Sequence, residues 1–383
     1  MNTYARLPIT LVRGQASRVW DDSGKEYLDF ISGIAVNTLG HAHPILVAAL
    51  AEQASTMLHC SNLFQIPKQQ QLAEKLSGLS GLARVFFSNS GAEANEGAIK
   101  LARKYFFDQD SARRGIISAT ESFHGRLLST LTATGQDKVK QGFDPLPPGF
   151  SHVPLNDFAA LKSAVSEHTA AVLLEPLQGE GGVNLAQPEY LQQVRRLCDE
   201  HGILLILDEI QTGMGRTGTM FAFEQAGIVP DILTLAKGLG GGVPIGAMLA
   251  SEKVAASFGP GSHGSTFGGN PLSCTAALTV LDVMAEEGLL LNVAARSKQL
   301  LGGLHQLAER FAWIEEVRGQ GLLVGLACSL EVADAIATCR DAGLLVLQAG
   351  PKVIRILPPL NVSAAEIDEA LAVLENVFTG VKA

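Results

Sequence analysis

The sequence predicts an α/β protein: a large domain around a mostly parallel sheet, plus a smaller α+β domain drawn from both ends of the chain. Two observations carry this. In the middle of the chain short apolar runs alternate with longer amphipathic ones, the pattern of strand–helix repeats. Towards the C-terminus the order changes to two long helical stretches followed by short strands.

The middle supplies six candidate strands, at 84–88, 115–119, 170–175, 203–208, 231–235 and 245–250. Several are apolar at successive positions, as strands covered on both faces require. Helices fit between them at 92–107, 158–167 and 188–201. Beyond them, helices are expected at 272–287, 291–311, 331–342 and 364–378, with strands at 314–318, 322–327, 343–347 and 353–357. The strand pieces 18–21 and 26–30 precede the large-domain pattern and are assigned to the small domain. The expected division is therefore 1–45 (small domain), 46–275 (large domain) and 276–383 (small domain).

Composition narrows the function. With 383 residues, 47% of them hydrophobic, the chain can bury a sizeable core. Its net charge of −9 comes without any long Lys/Arg cluster, which excludes the electrostatic footprint of nucleic-acid binding. Five cysteines, an odd number with no CxxC pair, argue against a disulfide framework and fit a reducing cytoplasm. The opening MNTYARLPITLVRGQ lacks the apolar run of a secretory signal, and no apolar stretch is long enough for a membrane span.

Five segments carry chemistry. In ILLILDEIQTGMGRTG a buried strand ends in Asp208, where open α/β sheets meet their ligands. Taken alone, Asp208 reads also as a helix cap. Gly213, Gly215 and Gly218 match GxGxxG, but the residues that follow do not open a clear helix and the acid precedes the glycines, so a dinucleotide fingerprint is rejected. In PDILTLAKGLGGGVPIGA, Lys237 follows a strand and precedes a glycine-rich turn. An apolar strand end desolvates a lysine and frees its amine as a nucleophile; a lone lysine reads equally as a surface residue.

In FFSNSGAEANEGAIKLARKY a strand delivers Ser90, Gly91 and Ala92 into a helix, and small residues at a helix N-terminus expose N–H groups to an anion. An ordinary N-cap is the alternative. The run Ser122–Arg126 offers Phe123 as a flat ring to stack and Arg126 as a guanidinium for a carboxylate. Residues 264–270 form another small, hydroxyl-bearing turn. His41 and His43 suggest a metal pair, but no Cys/His cluster stands at ligand spacing elsewhere, so no metal is expected.

Together these segments resemble the class III aminotransferases, which are fold-type-I pyridoxal-phosphate enzymes. The match runs from DDSGKEYLDFISGIAVNTLGHAHP to VIRILPPLNVS, nearly the whole chain. It is nearest to the branch that uses acetylated ornithine as amino donor. The resemblance implies a seven-stranded-type sheet, pyridoxal 5'-phosphate as cofactor and a homodimer with active sites at the subunit interface.

It also implies roles. Lys237 would hold the cofactor as a Schiff base and shuttle protons, and Asp208 would pair with the ring nitrogen. Gln211 would bond the phenolic oxygen, with Glu209 beside it at the cofactor, and Phe123 would cover a ring face. Ser90, Gly91 and Ala92 would hold the phosphate, joined by Thr266 from the partner subunit. Arg126 and Ser265 would bind the substrate. Arg355 and Glu180 would form a pair whose glutamate neutralises the arginine when a dicarboxylate is absent.

The implied reaction moves an amine from N2-acetyl-L-ornithine to 2-oxoglutarate. Ornithine, succinylornithine, succinyldiaminopimelate and 4-aminobutyrate are neighbouring donors, and an aminomutase on the same scaffold is a different class. Leu127 departs from the family's Thr after the arginine.

Overall fold

The computed structural model describes residues 1–381. Its centre is a seven-stranded sheet in the order Arg84–Ser88, Gly246–Ala250, Ile232–Leu235, Leu204–Asp208, Thr169–Leu174, Gly115–Ala119, Phe150–Val153. Gly246–Ala250 runs antiparallel to both neighbours, while the other strands share one direction. Four strands, Thr169–Leu174, Leu204–Asp208, Ile232–Leu235 and Gly246–Ala250, are buried at every position. Coverage on both faces explains why they read as unbroken apolar runs. The seventh strand, Phe150–Val153, escapes the sequence pattern because it is a sheet edge with the polar pair Ser151–His152 at its centre.

The helix Gly91–Phe107 starts where its sequence says it should. Ser90 caps it, its hydroxyl accepting the Glu93 N–H at 3.3 Å, while the Glu93 carboxylate reaches back to the Asn89 N–H at 2.6 Å. Its apolar face, with Ala94, Ala98, Leu101, Ala102 and Tyr105, is buried.

The smaller part draws on both ends of the chain. Leu11–Gln15, Arg18–Asp21 and Glu26–Asp29 form a sheet that Leu344–Leu345 completes, Leu28 lying opposite Leu344 in parallel. A second sheet has the order Ile314–Gln320, Leu323–Cys328, Val353–Ile356, Leu347–Gln348. The single strand expected at 343–347 is thus corrected to two short pieces, one in each sheet, separated at buried Val346. The expected boundary at 275/276 falls inside the helix Pro271–Glu286, against which the unforeseen helices Pro44–Thr56 and Pro67–Ser80 pack.

The Gly213–Gly218 segment opens no helix; it is a loop with left-handed turns at Gly215 (φ 82°) and Gly218 (φ 102°). It carries Arg216, whose buried guanidinium donates to the carbonyls of Leu322 and Pro358. Burial lowers the Arg216 pKa to about 9. This loop is thereby pinned to the C-terminal segments. His41 bonds the Asp29 carboxylate (2.7 Å) and His43 that of Glu287 (3.2 Å).

Candidate active site

Strand register assembles the site. Leu207 lies opposite Leu174, and Asp208 opposite Thr234. Asp208 and Glu175 therefore leave neighbouring strands side by side, with Lys237 two residues beyond the end of the next strand. All three line a cavity of about 420 Å³ shared with Ser90, Gly91, Ala92, Phe123, Arg126 and Gln211. It lies beyond the carboxyl ends of the parallel strands, where such sheets bind ligands.

Lys237 begins a short 3-10 turn with a left-handed backbone, φ 41°. Non-glycine residues hold that conformation only where the surroundings impose it. Here the Gly238 carbonyl is tied by the Thr38 hydroxyl at 2.9 Å. Burial lowers the Lys237 pKa, against the pull of Glu180, Asp208 and Glu175 and with help from Arg355. A larger neutral fraction makes this amine both a nucleophile and a base.

Asp208 is 3% exposed, and its carboxylate is held by donors at both oxygens. Oδ2 accepts from Asn95 Nδ2 (2.7 Å) and His124 Nδ1 (2.8 Å), and Oδ1 from the Ile210 N–H (3.1 Å). Asn95 is itself oriented, its Oδ1 accepting the Thr234 hydroxyl (2.7 Å) and its amide also donating to the His124 carbonyl (2.8 Å). Asn95, Thr234 and Glu175 were not foreseen as site residues. Their one available signal is position: Asn95 sits one turn beyond Gly91 on the buried helix face, and Glu175 ends a buried strand as Asp208 does. The buried His124 Nε2 has no partner among the described residues.

The cavity suits a planar, anionic guest. Helical geometry leaves the first-turn amides of Gly91 and Ala92 without intrahelical partners, and both residues face the space. Phe123 supplies a ring, with the exposed Arg126 guanidinium 5.4 Å from its centre. Orphan amides, an aromatic wall, a carboxylate held in place and a depressed lysine together fit pyridoxal 5'-phosphate.

Gln211 links this cavity to a second cluster. Its Oε1 accepts from Arg355 Nη1 (3.2 Å), which also donates to Glu180 (2.7 Å) and to the Gly179 carbonyl (2.7 Å). Arg355 is 1% exposed. Burial alone would raise the Glu180 pKa, but the charge and hydrogen bond of Arg355 outweigh it and hold the carboxyl below its ordinary value. Gly179 leaves room for this arrangement: a Cβ there would lie 2.2 Å from Gln211 Oε1 and displace the end of that side chain.

Three expected residues stand apart. The Glu209 side chain turns into the loop that follows, accepting the N–H groups of Ala222 (2.7 Å) and Phe223 (2.9 Å) and the Thr212 hydroxyl. Its expected contact with the cofactor is corrected to loop anchoring: buried carboxylate oxygens with three donors at hand are already committed. Ser265 and Thr266 line a neighbouring hollow rather than the Lys237 cavity, and Ser265 Oγ is bonded to Asn89 (3.2 Å) and to the Gly268 N–H (2.9 Å).

Comparison with known proteins agrees with this geometry. Residues 1–378 match the family described as aminotransferase class-III. The chain is similar to the acetylornithine aminotransferase of Caldanaerobacter subterraneus subsp. tengcongensis, 52% identical over 100% of this chain and 98% of the relative. Among solved structures it resembles N-acetylornithine aminotransferase from Stenotrophomonas maltophilia, 43% identical with a TM-score of 0.87, over 99% of this chain and 97% of that one. It also resembles an ornithine aminotransferase from Toxoplasma gondii, which has partial occupancy of PLP at its active site (34% identical, TM-score 0.94, 98% of this chain and 92% of that one).

Proposed function

The chain belongs to the class-III aminotransferases, and we propose that it moves the terminal amine of N2-acetyl-L-ornithine to 2-oxoglutarate, giving N-acetyl-L-glutamate 5-semialdehyde and L-glutamate. The observation that carries the reading is one cavity holding both a depressed lysine and a donor-locked carboxylate, Lys237 and Asp208, beside a free helix N-terminus. Named relatives that act on the acetylated donor support the choice of substrate.

Pyridoxal 5'-phosphate, when bound, supplies the ring that takes up the electron pair released at the donor carbon. The chain's residues do the rest. The N–H groups of Gly91 and Ala92, with Ser90, would hold its phosphate, and Phe123 would cover its ring. Asp208 would offer its carboxylate to the ring nitrogen. Gln211, whose Oε1 accepts from Arg355, would turn its amide N–H to the phenolic oxygen.

Lys237, as a neutral amine, would take the proton from the carbon that bears the donor's amine and serve as the acid that gives it back. Arg126, at the open side of the cavity, binds the donor's carboxylate. Glu180 masks the Arg355 charge while the donor is bound; a dicarboxylate acceptor would draw on that charge instead. Each product leaves before the next substrate enters, so the kinetics are ping-pong.

We further propose a cytoplasmic homodimer, in which Ser265 and Thr266 serve the partner's cavity. Their separation from Lys237 within one chain supports the dimer, as do the exposed Phe267 at the same hollow and the exposed Phe64 at the adjoining one.

The deciding experiment is a donor panel with 2-oxoglutarate, scored by kcat/KM. N2-acetyl-L-ornithine should lead. Preference for ornithine, succinylornithine, succinyldiaminopimelate or 4-aminobutyrate would overturn the choice of donor, and turnover without 2-oxoglutarate would indicate an aminomutase.

A further inference from the structure

Glu175 lines the cavity yet has no part in the reaction as described above. It follows a strand with every residue buried, is itself 5% exposed, and stands beside Asp208 in register. Its Oε2 accepts the Phe123 N–H at 2.9 Å. Among the described residues no lysine, arginine or histidine forms an ion pair with it. Three charged groups bear on it: Asp208 on the adjacent strand end, Lys237 beyond the next strand and Glu180 in the following turn. Burial first, then Asp208, push its pKa well above the ordinary carboxylate value; the Phe123 N–H and Lys237 oppose this without cancelling it.

Two adjacent carboxyls in one site divide their roles by environment. Asp208 has three donors and Glu175 has one. The charge therefore belongs on Asp208 and the proton on Glu175.

We propose that Glu175 is a positioning residue acting as a neutral carboxyl: its carbonyl oxygen fixes the backbone of Phe123, and so the ring of Phe123, while leaving the negative charge to Asp208. This rests on the reading that a cofactor ring lies against Phe123 and Asp208. A neutral group needs no cation, which agrees with the missing ion pair. It also makes glutamine an adequate substitute, because an amide carbonyl accepts the same N–H.

The test compares wild type, Glu175→Gln and Glu175→Ala. For the cofactor-free protein, melting temperature is followed from pH 5 to 8.5. A carboxyl whose folded-state pKa is raised contributes stability below its unfolded value, near 4.5, and loses it as pH rises towards the folded value. Glutamine does not titrate. The Gln variant should therefore melt above wild type at pH 8.5, with the gap closing towards pH 5. Infrared difference spectra at pH 8 should show a protonated carboxyl band in wild type that the Gln variant lacks.

With cofactor bound, Gln should keep kcat and the cofactor absorbance band within about twofold. Ala leaves the half-buried Phe123 N–H without its acceptor and should weaken cofactor retention about tenfold. A Gln variant as damaged as Ala, or a melting gap that does not change with pH, overturns the proposal. Failure of the donor panel would leave the cofactor-free measurements standing, so the two readings fail separately.

Discussion

Replacing Asp208 by asparagine tests the centre of the mechanism with almost no change in shape. The carboxylate accepts at both oxygens, from Asn95 and His124 at Oδ2 and from the Ile210 N–H at Oδ1. An asparagine offers one oxygen and one NH2. With its oxygen at the Oδ2 position, the NH2 faces the Ile210 N–H; turned over, it faces both Asn95 and His124. Asn95 does not flip to help, because its own oxygen is held by Thr234.

Either orientation sets a donor against a donor in a buried site, a folding cost of about 1–3 kcal/mol. The catalytic loss is larger. Removing a preorganised charge from a water-poor site costs on the order of 3–4 kcal/mol of barrier, several-hundredfold in kcat/KM. The assay is kcat/KM for N2-acetyl-L-ornithine with saturating 2-oxoglutarate, with the melting temperature followed in parallel. A variant within threefold of wild type would refute the role of Asp208.

Three more outcomes are expected. Borohydride reduction of the cofactor-loaded protein followed by peptide mapping should tag Lys237, and a tag on another lysine would overturn the assignment. Cofactor rebinding to the stripped protein should speed up as pH rises, with a midpoint below the ordinary lysine value of 10.5, because burial favours the neutral Lys237 amine; a midpoint at 10.5 would show an unperturbed amine. Gly179→Ala sets a methyl 2.2 Å from Gln211 Oε1 and should cost about 1–3 kcal/mol by overpacking, shifting Gln211 off Arg355 and raising KM for 2-oxoglutarate. Unchanged melting and KM would mean that the cluster is looser than its contacts imply.

The parts legible in the sequence are those whose signal is local. Buried strands such as Leu204–Asp208 and Ile232–Leu235 announce themselves as apolar runs, and Asp208 and Lys237 stand out because each ends or follows one. Ser90 is legible as a cap because helix entry is a short-range event. Asn95 and Glu175 were invisible for the opposite reason. Each acts on a residue far along the chain, Asn95 on Asp208 and Glu175 on Phe123, and only the lateral order of strands brings them together. Glu209 misled because adjacency to Asp208 in sequence sends its side chain the other way, into the following loop. The stretch 343–347 misled because its apolar residues serve two sheets rather than one.

The pairing of Leu28 with Leu344 has a consequence for how the protein is made. Chains emerge from the ribosome N-terminus first, so the strand Glu26–Asp29 waits for most of synthesis before its parallel neighbour exists. The seven central strands, all between Arg84 and Ala250, are complete long before that. Folding on the ribosome should then begin with the central sheet, while one edge of Glu26–Asp29 stays unpaired and exposed to chaperones until the last part of the chain is released. Slow synthesis after Ala250 would prolong that exposure, and the yield of the protein in the cell would depend on the pace of translation there.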